Sequence, residues 1–147
     1  MTAGAKEQGC VLCRALERSA ASDSLVVHLG AQSFIVMNLF PYNGGHVMVA
    51  PRRHVGSLQA ATAEELSDMM ALARKLEGVM GEVYHPDGLN LGLNLGRSAG
   101  AGVADHIHLH VVPRWNGDTN FMTVTGDVRV ISEDPRKACA RLKPYFQ

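Results

Sequence analysis

Residues 106–112 run His106-Ile107-His108-Leu109-His110-Val111-Val112, three histidines alternating with aliphatic residues. A period of two is the period of a strand, so this segment sets His106, His108 and His110 on one face and Ile107, Leu109 and Val111 on the other. The aliphatic face then needs an apolar partner. The histidine face carries a cost, because neighbouring imidazoles repel when protonated and waste apolar contact when neutral. A solitary histidine on a strand is most simply a satisfied core or edge residue; three in strict alternation point to chemistry. Two chemistries suit them: a metal cage of three imidazoles, as in open catalytic zinc sites, or nucleophilic catalysis in which the middle ring attacks and its neighbours hold developing charge. Just upstream, Gly96-Arg97-Ser98-Ala99-Gly100-Ala101-Gly102 forms a loop whose backbone N–H groups can approach an oxyanion closely. No Asp or Glu follows within the strand as a fourth ligand, so the surroundings favour phosphorus chemistry over a plain metal cage.

The remaining pattern supplies the partner for the aliphatic face. Residues 24–29 and 33–38 are rich in β-branched side chains and flank Gly30-Ala31-Gln32, which reads as a hairpin. The turn formers Pro41-Tyr42-Asn43-Gly44-Gly45 lead into a third strand over 46–50, ending at Pro51. Thr62-Ala63-Glu64-Glu65 has the spacing of a capping box. Leu66, Met69, Met70, Ala73, Leu76, Met80 and Val83 then recur at three and four residues, which predicts one long helix with an apolar face, stopped by Pro86-Asp87-Gly88. Residues 89–95 alternate Leu with Asn or Gly as a further strand. Residues 124–131 read as another strand and 135–145 as a short helix. Strands joined by hairpins and one long helix predict an α+β chain with a mainly antiparallel five-stranded sheet and a short C-terminal helix.

The chain has 147 residues, which suits a single domain over 1–147. Fourteen Lys+Arg balance fourteen Asp+Glu, so no net field draws it to nucleic acid or to an anionic membrane. No apolar run approaches the ~18–20 residues of a membrane span, and Met1 to Gly9 lacks the hydrophobic stretch of a secretory signal. Three cysteines are too few for a disulfide framework. A reducing, cytoplasmic setting is expected, with neither nucleic acid nor membrane as partner.

The triad segment resembles the signature of the histidine-triad family of nucleotide hydrolases and transferases. The likeness extends to Asn38-Leu39-Phe40-Pro41-Tyr42-Asn43-Gly44-Gly45-His46, to Pro51-Arg52-Arg53-His54, and to Asn94 with Ala99-Gly100. The tail Pro113-Arg114-Trp115-Asn116-Gly117-Asp118-Thr119-Asn120-Phe121-Met122 is similar to the dinucleoside-polyphosphate branch. The resemblance implies the histidine-triad fold and a homodimer with the long helix near its interface. It also implies an enzyme that cleaves dinucleoside polyphosphates, such as diadenosine tetraphosphate, through a covalent nucleotidyl-histidine. His108 would be the nucleophile, His110 a donor to phosphate or leaving group, and His106 the third member. Asn38, Phe40, Asn94, Ser98, Gly100 and Gly102 would bind the nucleotide, with Phe34 and Leu39 as further candidates to wall the base. Three residues before the first histidine, where the family often has Ser or Thr, stands Val103; the leaving-group donor is then Ser98, a backbone N–H, or absent.

Cys10 and Cys13 have the spacing of two thiolates on one tetrahedral ion; they also read as two small core residues. The resemblance implies a structural zinc held by Cys10, Cys13, His54 and His106. Cys139 reads as a buried free thiol, His46 as part of the third strand's structure, and His28 and His85 as surface or strand residues. Trp115 reads either as a stacking partner for a second base or as packing. Water and inorganic phosphate both remain open as acceptor, with phosphorylase and phosphoramidate hydrolase as alternative activities. A nucleotide- or metal-binding module without turnover is the alternative outside enzymes.

Overall fold

The computed structural model describes residues 9–39, 41, 43–101, 103, 105–118 and 133–147. The sequence-predicted strand over 124–131 lies outside them, as do Phe40 and Gly102. Helix α1 (Val11–Glu17) leads into strands β1 (Val26–Leu29), β2 (Ser33–Met37) and β3 (Val47–Pro51). Helix α2 (Ala63–Tyr84), strands β4 (Gly88–Leu93) and β5 (Leu109–Arg114), and helix α3 (Pro135–Leu142) follow. Single 3₁₀ turns cover Arg97–Ala99 and Lys143–Phe146. The five strands form one antiparallel sheet in the order β1-β2-β3-β5-β4, so β5 enters between β3 and the edge strand β4. The α+β antiparallel reading is borne out.

The sheet has two differently covered faces. Ile35, Met37, Val47, Val49, Leu109 and Val111 point to one side, where they pack with α2 and α3 in the main core. The aliphatic face of the triad segment therefore meets the long helix, as its alternation requires. On the opposite side Phe34, Val36 and Ala50 pack beneath α1, against Cys10 and Leu12. Residues of β2 are buried along their whole length because both faces are covered there. Phe34 is fully enclosed, so it is core rather than a wall for a base.

Helix α2 starts with both halves of the capping box: the Glu65 N–H donates to Thr62 Oγ1 at 3.1 Å, and the Thr62 N–H donates to Glu65 Oε1 at 2.8 Å. His85 closes it in the left-handed region, φ 49°. Its buried stripe differs from the expected one at three positions. Leu72 and Val79 are inside, and Met70 is 59% exposed. At about 100° per residue, Met70 stands roughly 120° from the middle of the stripe, while Leu72 and Val79 fill its flank.

Candidate active site and metal centre

The three histidines lie at the entry to β5, and hydrogen bonds to backbone carbonyls fix two of their tautomers. His108 Nδ1 is 2.9 Å from the carbonyl oxygen of His106. A carbonyl only accepts, so Nδ1 carries the proton and, in the neutral ring, Nε2 keeps the lone pair. His106 Nε2 lies 2.8 Å from the Pro51 carbonyl, which leaves the lone pair of His106 on Nδ1. One backbone carbonyl thus couples the residue behind the site to the ring in front of it. His106 is 0% exposed, so its ring is closed to solvent. Burial, helped by the nearby His54 and His108, holds its pKa below the ordinary histidine value.

His110 follows on β5, half-buried, its ring centroid 4.9 Å from that of His108. Burial and the neighbouring His108 push its pKa down, which favours the neutral ring. Its Nδ1 is 2.9 Å from Nε2 of His46. His46, buried at the start of β3, therefore belongs to this cluster and not merely to the strand. The reason is register: Met48 pairs with His110, so His46, two residues earlier on the same face, is diagonal to it. Only the pairing of β3 with β5 could have revealed this. Asn38 closes the group: its Nδ2 lies 3.5 Å from His46 Nδ1 and 3.3 Å from Nε2, nearly equidistant and so aligned with neither lone pair, and its backbone N–H donates to the His46 carbonyl at 3.0 Å.

The other expected contacts are placed in part. Gly92 pairs with His110 and Leu93 with Leu109, so β4 runs beside the triad and Asn94 follows directly in an exposed position. Ser98 and Gly100 lie in and after the exposed 3₁₀ turn, with Gly100 at φ 92°. Leu39 is exposed, whereas Val103 is half-buried and packs against the cluster under α1. Trp115 packs edge-on to Tyr84 and donates its indole N–H to the Tyr84 carbonyl at 3.3 Å.

Behind the triad, Cys10, Cys13, His54 and His106 converge, with one ligand atom from each lying within 4.8 Å of the others. Cys10 Sγ is 3.4 Å and Cys13 Sγ 3.5 Å from His106 Nδ1, and Cys13 Sγ is 3.3 Å from His54 Nδ1. Two sulfurs thus face a single nitrogen lone pair. A tetrahedral ion with Zn–S of about 2.3 Å and Zn–N of about 2.0–2.1 Å sets sulfur and nitrogen roughly 3.5 Å apart. The four residues could hold a metal ion. His54 is presented by a segment that Arg53 anchors, through Nη2 to Glu65 Oε1 at 2.8 Å and Nε to Glu65 Oε2 at 3.3 Å. Glu65 is only 3% exposed, and the Arg53 hydrogen bond holds its carboxyl below the usual range. Cys139 is buried far from this centre, beside the Ser24 and Val26 carbonyls.

The site thus sits on an antiparallel sheet backed by a long helix, with the imidazoles gathered on the sheet's other face. The HIT domain model matches residues 19–117, and the chain belongs to the HIT family. It is 48% identical over 111 residues to the AP-4-A phosphorylase of Mycobacterium tuberculosis, matching 76% of this chain and 57% of that protein. The chain therefore spans little more than half the length of that relative. It is 31% identical over 121 residues to the bis(5'-adenosyl)-triphosphatase of Dictyostelium discoideum, covering 78% of this chain and 80% of that one. A Zn-bound histidine triad family protein from Mycobacterium smegmatis superposes with a TM-score of 0.75 at 26% identity, covering 95% of this chain and 94% of that structure.

Proposed function

We propose that this protein cleaves dinucleoside polyphosphates by nucleotidyl transfer through His108. The observation that carries the reading is the His108 Nδ1 bond to the His106 carbonyl, because it leaves Nε2 as the bare, nucleophilic nitrogen. Nε2 attacks the α-phosphorus, a P–N bond forms, and the P–O bond to the polyphosphate leaving group breaks. His110 donates from Nε2 toward the departing oxygen or the phosphate, offsetting the charge that grows in the transition state. Water then attacks the same phosphorus, the P–N bond breaks, and a nucleoside monophosphate leaves. Asn38 and Phe40 serve the nucleoside; Asn94, Ser98, Gly100 and Gly102 serve the phosphates.

His106 contributes its carbonyl to His108 and its ring to the metal centre. Zinc held by Cys10, Cys13, His54 and His106 would supply a structural cross-link between the segment before α1 and the sheet. The convergence of two sulfurs on the His106 lone pair supports this. A homodimer fits the uncharged edge strand β4, where Leu91 is 45% exposed. Among the described residues no helix is long and apolar enough to cross a membrane; a reducing cytoplasm would keep the thiolates of the metal centre intact.

A second acceptor, inorganic phosphate, is favoured by the name of the 48%-identical relative. The two acceptors separate by product. Incubation of diadenosine tetraphosphate with the protein in water yields AMP, and added phosphate yields ADP if phosphate is the acceptor. An acid-labile nucleotidyl-protein adduct should be trapped early in turnover. Absence of both cleavage and adduct would refute the reading.

A further inference from the structure

The turn that delivers His46 is tied down from a distance. The His46 N–H donates to the Asn43 carbonyl at 3.3 Å, and Gly45, at φ 78°, takes the third place of that turn, where a type II turn wants glycine. The Asn43 side chain then reaches across: its Nδ2 donates to the Pro113 carbonyl at 3.0 Å and to Asp118 Oδ2 at 2.9 Å. Asp118 is itself gripped by Arg114, through Nε at 2.7 Å and Nη2 at 2.9 Å, and by the Trp115 N–H at 3.1 Å. Arg114 spends its remaining arm on Asn90 Oδ1 at 2.7 Å. The Arg114 hydrogen bonds hold the Asp118 carboxyl well below the usual carboxylate range, so the acceptor stays charged. Arg114 ends β5, and His110 stands four residues earlier on the same face of that strand. The turn and the strand that bear the two imidazoles are thus joined at a second point, independent of the rings.

The join matters because of the proton between the rings. Two imidazole nitrogens 2.9 Å apart share one hydrogen. If His46 donates from Nε2, His110 Nδ1 accepts and its proton sits on Nε2, on the far side of the ring from His46. If His110 donates instead, that outward nitrogen is a bare lone pair, which phosphate oxygens repel. We propose that Asn43 and Asp118 are positioning residues of the reaction: they hold His46 against His110 Nδ1 and so keep the proton of His110 on its outward nitrogen. The inference rests on His110 as donor in the proposed function. Released from the clamp, the turn would let water replace His46, and both tautomers of His110 would be populated. A misplacement of about 1 Å in such a group is worth up to about 10²-fold in rate.

The test uses the full chain, with Asn43→Ala, which removes both side-chain bonds, and Asp118→Asn, which keeps the shape but not the charge. Asn43→Ser, retaining one donor, is the rescue. Long-range ¹H–¹⁵N spectra of the histidine rings report which nitrogen is protonated. The expected result is one tautomer of His110 in the parent, with bare Nδ1, and averaged nitrogen shifts in Asn43→Ala. The kcat for diadenosine tetraphosphate should fall about 10–100-fold while KM stays within about twofold. Asn43→Ser should recover part of both signals, and Asp118→Asn should fall between. A folded Asn43→Ala protein with parental ring shifts and parental kcat overturns the proposal, even if its melting temperature drops. If the parent turns over no dinucleoside polyphosphate, the proposed function fails, yet the ring spectra still decide whether the clamp sets the tautomer.

Discussion

Replacing Gly45 by alanine probes the packing that brings the site together. A Cβ there would stand 3.0 and 3.1 Å from two carbons of the Tyr84 ring and 3.3 Å from Pro113 Cγ. Neither neighbour can withdraw easily. The Tyr84 hydroxyl donates to Glu133 at 2.7 Å, the Arg141 guanidinium lies 4.7 Å over its ring, and Pro113 is part of β5. The backbone adds strain, because φ is 78°. A left-handed non-glycine residue costs about 1–2 kcal/mol, and overpacking about 1–3 kcal/mol. Alanine offsets about 0.4–1 kcal/mol by restricting the unfolded chain. The net expectation is a loss of roughly 1–4 kcal/mol. Urea denaturation followed by the fluorescence of Trp115, whose ring centroid is 6.4 Å from that of Tyr84, measures it. Gly78→Ala is the internal control, since nothing lies within 4 Å of its Cβ and it sits exposed within α2. That change should stabilise by about 0.5–1 kcal/mol. Equal midpoints for the two variants would refute the reasoning that Tyr84 and Pro113 seat the turn.

His108→Ala should cut turnover by on the order of 10³-fold or more and leave equilibrium dialysis of a nucleotide within about threefold of the parent. Elemental analysis should find about one zinc per chain in both the parent and His108→Ala, and Cys13→Ser should lose it together with several degrees of melting temperature. Zinc lost with His108→Ala alone would speak for a cage at the triad. Burial lowers the pKa of both His28 and His110, so their neutral forms favour the fold. That contribution is complete above the unfolded value near 6.5 and is lost as pH falls through the lowered folded values. Urea midpoints in chelator should therefore decline from pH 7.5 to pH 5, and a midpoint rising over that range would contradict the assignment.

Patterns confined to one element were legible in the chain itself. The alternation of 106–112 determined which residues face the helix, because side-chain direction in a strand depends on parity alone. Thr62 and Glu65 marked the start of α2, since a capping box closes within four residues. The spacing of Cys10 and Cys13 singled out a pair of thiols, and the family resemblance added His54 and His106, which the fold then brings to those sulfurs. What the chain could not disclose were contacts across 64 to 75 residues: His46 with His110, and Asn43 with Pro113 and Asp118. Even the helix misled locally, because Met70 is as apolar as its neighbour Met69 yet stands off the stripe that Leu72 and Val79 complete. Periodicity specifies a side chain's direction within its own element; strand register, fixed by how β3, β5 and β4 pair, decides which directions meet. For that reason the triad belongs to the sequence, while its fourth imidazole and the clamp behind it belong to the tertiary structure.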